Sequence, residues 1–277
     1  MEINVMDDVK HVPCEVLVIN KFEGEETSQE LANVYAVAKD HFEGKFGQTY
    51  LLHTLDKIPA DKILVVGFGK REEFNANKMR EAVCKAVKKL QQIHAKEACF
   101  DFDVNCDYGK SAVIGAMIAD YAFDKYKTEK ARHLEKITFA KFSQAEINEG
   151  IIFGEAMKFA RDLANEPAAY ATPSRLAEIA SNIDGVSAKI FDKEEIERMG
   201  MGAYLAVGQG SVQPPKFIHM KYVGKNPKKK IAIIGKGICF DAGGLDLKPA
   251  SSMLTMRDDM SGGAVVMAVM KLLKDLK

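Results

Sequence analysis

The chain has 277 residues, and 47% of them are apolar, which excludes a disordered protein and allows one or two ordinary hydrophobic cores. Lysine plus arginine equals aspartate plus glutamate, so the zero net charge gives no overall attraction for nucleic acid or an anionic membrane. Five cysteines without CxxC spacing indicate reduced thiols, and with no signal peptide or membrane-length apolar run the sequence predicts a cytoplasmic protein.

Strand and helix patterns alternate through the first half of the chain. Short β-branched apolar runs, "CEVLVIN" and "KILVVGFG", predict buried parallel strands. A helix is expected at Ser28–Phe42 and an amphipathic helix at Asn77–His94. The other predicted elements are a strand in "GQTYLLHTL", a strand in "EACFDFDV", a helix over Gly109–Tyr126 and a strand in "KITFAKF".

The second half begins with a helix over Ala145–Leu163, and a new helix follows Thr172, with Pro173 in its first turn. A strand in "AKIFD", a helix over Lys193–Met199, adjacent strands in "KFIHMKYVG" and "KKIAIIG", and an apolar helix over Gly262–Leu276 complete the chain. The alternation predicts an α/β fold. We expect an α/β domain at 1–144, a linker helix and connection at 145–170, and a second α/β domain at 171–277.

Several familiar site motifs are incomplete in this sequence. "VVGFGK" and "IIGKGICF" each place GxG after a strand but do not complete GxGxxG, so the glycines are interpreted as strand-ending turns. Neither HExxH nor GxSxG occurs, which removes the paired-histidine zinc proteases and the serine hydrolases. His219 lies in a predicted strand and is interpreted as a structural residue.

The segment "IIGKGICFDAGGLDLKPASSMLTMRDDM" concentrates the polar chemistry. Its carboxylates are hard ligands for divalent ions, and they are Asp241, Asp246, Asp258 and Asp259. Lys236 or Lys248 could coordinate as a neutral amine beside an ion or, when protonated, stabilise an oxyanion. Gly243 and Gly244 would let the backbone approach a ligand. The alternative is that Asp258 or Asp259 caps the final helix while the lysines are solvated.

Four motifs in order are similar to the cytosol (leucyl) aminopeptidases, which are two-metal exopeptidases. The two in this segment are "GKGICFDAGGLDLKP" and "MLTMRDDMSGGAVV", and the two upstream are "GMGAYLAVGQGSVQPPKFIHMKY" and "RDLANEPAAYATPSRLAEIA". The resemblance covers the second half strongly. The first half resembles the family in architecture alone, as an α/β domain similar to macro domains, and the second domain would then be the first part of the metallopeptidase domain.

The resemblance implies a role for each matching residue. Lys236, Asp241 and Asp259 correspond to metal ligands, with Asp241 bridging two ions, either manganese or zinc. Lys248 corresponds to the catalytic lysine that polarises the scissile carbonyl, and Met256 lies where the family lines the pocket for the N-terminal side chain. Asp258 departs from the aromatic or basic residue usual at its position.

The family also has an NTDAEGR-like motif, whose arginine orients a bicarbonate base, and this sequence has no match to it. We therefore expect residues 1–277 to be part of an enzyme and to be inactive alone. The resemblance implies peptide substrates with a free N-terminus and a homohexamer. The alternative function is a non-catalytic module that binds DNA or a nucleotide through its N-terminal domain, although the dispersed lysines make nucleic acid an unfavoured partner.

Overall fold

A computed structural model describes residues 1–25, 41–54 and 58–276. It divides into two compact units, Met1–Gly154 and Glu155–Lys277, each of which is described by itself. The domain limits expected from the sequence stay a prediction. The helix predicted at Ser28–Phe42 falls almost entirely outside the described residues.

The first unit is built on a six-stranded sheet with the order β1-β6-β5-β2-β4-β3. Its strands are β1 (Glu2–Met6), β2 (Cys14–Phe22), β3 (Thr49–His53), β4 (Ala60–Gly69), β5 (Glu97–Asp101) and β6 (Lys136–Ala140). All neighbouring pairs are parallel except β3, which runs antiparallel to β4 at one edge. The predicted α/β class is confirmed, and β2 and β4 are parallel strands, as their apolar runs predicted.

Two helices of this unit are α1 (Ala76–Gln92) and α2 (Gly109–Asp120), and short 3-10 turns cover Arg71–Glu73 and Cys106–Tyr108. The Asn75 side chain caps α1 by accepting hydrogen bonds from the backbone N–H groups of Asn77 and Lys78. The apolar stripe of α1 is fully buried, which confirms the predicted amphipathic helix. Its buried residues are Met79, Ala82, Val83, Ala86, Val87 and Leu90.

Helix α2 ends six residues before the predicted limit at Tyr126. The reason is the side chain of Asp120, whose Oδ1 accepts hydrogen bonds from the backbone N–H of Leu134 at 3.0 Å and from the Gln91 amide at 3.0 Å. Its Oδ2 lies 3.1 Å from Nδ1 of His133. These bonds hold the chain near the start of β6, and Tyr121 takes an extended conformation that ends the helix.

A long helix, α3, covers Gln144–Asn165. The later elements are α4 (Pro173–Ser181), β7 (Ser187–Phe191), α5 (Lys193–Arg198), α6 (Gly202–Gly208), β8 (Phe217–Lys221), α7 (Ala250–Met253), a 3-10 turn at Met256–Asp258 and α8 (Ser261–Leu272). Strands β7 and β8 pair antiparallel. Met260, Ala264 and Met267, at the start and along one side of α8, pack with Leu163 and Leu176 in the core of the second unit.

The strand predicted in "KKIAIIG" is wrong. Residues 229–235 form no strand in the structure, and β8 pairs with β7 instead. A strand requires a neighbour for its backbone hydrogen bonds, and the described residues provide none here. Ile231 and Ile234 consequently stand 84% and 94% exposed, although their apolar character is typical of a buried strand.

Within the described part of the chain, every helix is too short or too polar to span a lipid bilayer. The five cysteines all lie in that part, and none is joined in a disulfide. Burial raises the pKa of the Cys239 thiol to about 11, so this side chain stays protonated near neutral pH.

Candidate metal centre

The loop from Asp241 to Lys248 is closed by two hydrogen bonds. The backbone N–H of Gly243 donates to Oδ1 of Asp241 at 2.9 Å, and the N–H of Lys248 donates to the carbonyl of Ala242 at 3.0 Å. Gly243 has a φ of +94°, and a Cβ there would lie 2.3 Å from the carbonyl oxygen of Asp246. Only glycine fits this turn, which returns the Lys248 side chain to Asp241.

Lys248 contacts two of the predicted site residues. Its Nζ donates to Oδ2 of Asp241 at 2.7 Å and approaches Sδ of Met256 at 2.9 Å. Met256 opens the 3-10 turn that precedes α8. Three side chains separated by up to 15 positions in the sequence are therefore in direct contact in the fold.

Lys236 and Asp259 form the second pair, with Nζ of Lys236 2.8 Å from Oδ1 of Asp259. Backbone packing holds this pair in place: the N–H of Gly263 donates to the carbonyl of Lys236 at 2.7 Å. A Cβ on Gly235 would lie 2.4 Å from the carbonyl oxygen of Gly262. Glycines on both segments thus let the chain at Lys236 lie directly against the start of α8.

The two pairs influence each other electrostatically. The hydrogen bond from Lys248, followed by that from the Gly243 N–H, lowers the pKa of Asp241, and the charge of Lys236 lowers it further. The hydrogen bond to Asp259 raises the pKa of Lys236, and Asp241 adds to the effect. Without a metal ion, Asp241 is therefore ionised and Lys236 protonated at neutral pH.

One oxygen of Asp259 indicates that the centre is not complete by itself. Oδ1 faces Lys236, but Oδ2 is buried and has no hydrogen-bond partner among the described residues. Buried carboxylate oxygens are normally satisfied, so an unpartnered one marks the place of an ion or a water. A divalent cation fits this oxygen, because carboxylate oxygens are preferred ligands of Mn²⁺ and are accepted by Zn²⁺.

The candidate set contains few ligands. In the described ranges, no three histidine, cysteine, aspartate or glutamate side chains converge as a metal site. The set has two carboxylates, from Asp241 and Asp259, and the amine of Lys236. A lysine amine coordinates only after losing its proton, and a neighbouring dication favours that loss.

Three other sequence candidates are exposed and take part in neither pair: Asp246, Asp258 and His219. The alternative that Asp258 or Asp259 caps the final helix is wrong, because α8 has Met260 at its N-cap and no side chain caps it. The sequence reading missed the glycine contact that holds Lys236 beside Asp259. Its signal was present in the glycines of "GKG" and "SGGA", but their partners are visible only in the fold.

The glycine contact gives a direct prediction. Gly235→Ala places a methyl group within 2.4 Å of backbone, so the two segments must separate and the bond from Gly263 to Lys236 must lengthen. We expect the Gly263 amide to exchange with solvent about tenfold faster or more, measured by NMR hydrogen exchange. Gly237→Ala is the matched control, because a Cβ there meets nothing within 4 Å. Equal exchange rates in the two variants would contradict the close contact.

Comparison with known proteins identifies the family that this chain resembles. A family model described as "Cytosol aminopeptidase family, catalytic domain" matches residues 158–277, which include all five candidate residues. A second, described as "Cytosol aminopeptidase family, N-terminal domain", matches residues 20–130. The two models of one family therefore match most of the chain in their expected order.

Similar proteins carry related names. A probable cytosol aminopeptidase of Sulfurihydrogenibium sp. (strain YO3AOP1) is 38% identical over 251 residues, covering 85% of this chain and 49% of that protein. One from Alkaliphilus oremlandii (strain OhILAs) is 32% identical and is matched by all of this chain over 62% of its own length. The chain thus spans about half to three-fifths of these relatives.

Solved structures share the fold. The bottromycin maturation enzyme BotP in complex with Mn has a TM-score of 0.79 at 25% identity, over 95% of this chain and 56% of that one. A mutant of tomato leucine aminopeptidase has a TM-score of 0.84 at 23% identity, over the whole of this chain and 60% of that one, and so shows the fold alone. With two family models matched in order and relatives named for the same family, the chain belongs to the cytosol aminopeptidase family.

Proposed function

We propose that these residues belong to a metal-dependent aminopeptidase that removes N-terminal amino acids, of the leucine type, from peptides. The unpartnered, buried Oδ2 of Asp259 supports this most directly, because a carboxylate oxygen without a hydrogen-bond partner could accept a divalent cation. Membership of the family and the order of the motifs also support an aminopeptidase. Since the chain spans only part of its relatives, the activity of the whole protein is part of the proposal.

The proposed metal ligands are Lys236, Asp241 and Asp259. The group they would hold is manganese or zinc, and a bound divalent ion supplies a water of lowered pKa and polarises a carbonyl. The BotP structure contains Mn, which favours manganese as the first ion to test. Asp241 would keep its charge across neutral pH because Lys248 and the Gly243 N–H already stabilise the ionised carboxylate.

Lys248 has the properties required of the group that stabilises developing negative charge. Its Nζ is held by Asp241 and lies beside the sulfur of Met256, so the ammonium is oriented before a substrate arrives. A peptide carbonyl oxygen that entered next to Asp241 would accept a hydrogen bond from the Lys248 ammonium. Met256 would contact the N-terminal side chain of the peptide through its flexible, apolar thioether.

The family resemblance also suggests the location, the second metal ion, the base and the oligomeric state of the whole enzyme. We propose a cytoplasmic location, a second divalent ion shared through Asp241, a bicarbonate base in the whole enzyme, and a homohexamer. We also propose that residues 1–277 alone are catalytically silent. Two-metal catalysis needs ligands for both ions, and the centre described above provides two carboxylates and one amine.

The test is an assay of the full-length protein with Mn²⁺ or Zn²⁺ on a leucyl amide substrate, beside residues 1–277 under the same conditions. We expect turnover by the full-length protein in the ordinary range of about 1–10³ s⁻¹ and a loss of about a hundredfold or more in Lys248→Gln. No release of leucine by the full-length protein would remove the aminopeptidase proposal. Ordinary turnover by residues 1–277 would remove the proposal that they are silent.

A further inference from the structure

A cleft of about 340 Å³ lies between the second half of α1 and the sheet-edge strand β3 in the first unit. Its lining residues are Gly47, Thr49, Cys84, Lys85, Lys88, Lys89 and Gln92. Three of them carry positive charge and none is acidic. The volume lies in the lower part of the range of small-molecule sites.

The three cleft lysines differ from seven other lysines of the unit in having no carboxylate partner among the described residues. No carboxylate lies within ion-pair distance of Lys85, Lys88 or Lys89 in the described parts of the chain. By contrast, seven lysines elsewhere in the unit pair with carboxylates: Lys10, Lys45, Lys62, Lys78, Lys96, Lys110 and Lys141. In a chain of zero net charge, the cleft is a local surplus of positive charge.

The positive charge of Lys85 is not neutralised by a partner on its own helix. Glu81 precedes Lys85 by four positions, the spacing at which glutamate and lysine pair on a helix, yet the two form no ion pair. Lys85 instead places its Nζ 4.9 Å from the centre of the Phe46 ring. It also occupies the space beside Gly47, where a Cβ would lie 1.9 Å from its Nζ.

The dipole of α1 accounts for only part of this cluster. The negative end of a helix favours cations within its last turn, where Lys89 lies. Lys85 lies a full turn earlier, and lysines at three- and four-residue spacing repel each other on a helix surface. An anion bound between them would relieve that repulsion. The hydroxyl of Thr49 and the amide of Gln92 would supply neutral hydrogen-bond donors in the same cleft.

We infer that this cleft binds a small, multiply charged phosphate compound through Lys85, Lys88 and Lys89. A phosphate group matches the chemistry because lysine ammonium groups act as mobile point charges for phosphate oxygens. A small compound fits better than a nucleic acid, because the charges lie in one cleft and a duplex requires a basic stripe. Inorganic pyrophosphate and a nucleoside diphosphate are two candidate ligands, because both contain a diphosphate group.

Calorimetric titration of residues 1–277 with inorganic pyrophosphate tests the inference. EDTA in the buffer removes divalent ions, so that phosphate cannot bind through the metal centre. We expect one saturable site, weakened about tenfold by Lys88→Gln and by Lys85→Gln, since each removes one charge-assisted contact. Raising the salt concentration should weaken binding in the same way. Parallel titrations with ADP and an oligonucleotide distinguish the sources of the phosphate.

Lys127→Gln is the matched control, because Lys127 is exposed in the same unit and does not line the cleft. It should bind pyrophosphate as the unmodified chain does, and circular dichroism should show all variants folded. Equal weakening by Lys127→Gln, or no saturable binding of either diphosphate, would overturn the inference. Tighter binding of the oligonucleotide than of both diphosphates would also overturn it, in favour of a nucleic-acid surface.

Discussion

Replacement of Asp259 by asparagine should weaken Mn²⁺ binding to residues 1–277 by about a hundredfold or more. Changing a residue that only hydrogen-bonds to a metal ligand lowers metal affinity about 10–100-fold. Asp259 would be a ligand itself, so the loss should be at least as large. Asparagine keeps the size of the side chain but removes the charge beside Lys236. The measurement is a titration of Mn²⁺ followed by electron paramagnetic resonance, which reports free and bound ion separately.

Asp258→Asn provides the matched control for this change. It removes the same charge at the adjacent position, but the Asp258 side chain is exposed in the turn before α8. We expect its Mn²⁺ affinity to stay within about threefold of the unmodified chain, because an exposed charge contributes weakly through solvent. If the two variants bound Mn²⁺ equally well, Asp259 would not be a metal ligand.

The second large effect is expected in the core of the first unit. Phe139 is fully buried on β6, and its ring centre lies 5.0 Å from that of Phe100 and 5.8 Å from that of Phe142. Phe139→Ala removes these contacts and leaves a cavity, at a cost of about 3–5 kcal/mol in the free energy of unfolding. Hydrogen exchange of the β4 amides should then become about a hundredfold faster or more.

Tyr126→Ala is the control for Phe139→Ala, since it removes an aromatic ring that is 57% exposed in the same unit. Its expected cost is below about 1 kcal/mol, because surface positions contribute little to the core. Comparable acceleration of exchange in both variants would mean that the sheet core does not depend on Phe139 packing.

The elements that the sequence predicted best are those whose local residue pattern shows which side chains are buried. Helix α1 follows from its apolar stripe, and β2 and β4 follow from continuous apolar runs. The end of α2 depends on the partners of Asp120 at residues 133–134, which no local pattern reveals. The run at 229–235 has strand composition, but a strand also needs a neighbour, and composition cannot supply one.

In the candidate site, too, one part was predictable from the sequence and another part was not. The motif brought Lys236, Asp241, Lys248 and Asp259 into consideration, but their pairing was not predictable. Lys248 reaches Asp241 because Gly243 closes the loop, and Lys236 reaches Asp259 because glycines let two backbones touch. The unpartnered oxygen of Asp259 is a property of burial. Such features arise from tertiary contacts and not from the spacing of residue types.

The exposed run Ile231–Ile234 also bears on aggregation of the chain. An apolar, β-branched segment without a strand neighbour can pair with the same segment of another molecule, as in the early steps of amyloid formation. Three exposed lysines, Lys228, Lys229 and Lys230, precede it directly. Charges in this position act as gatekeepers, because stacking chains in register would bring like charges together. Their protection is electrostatic, and high salt would therefore expose the segment to aggregation.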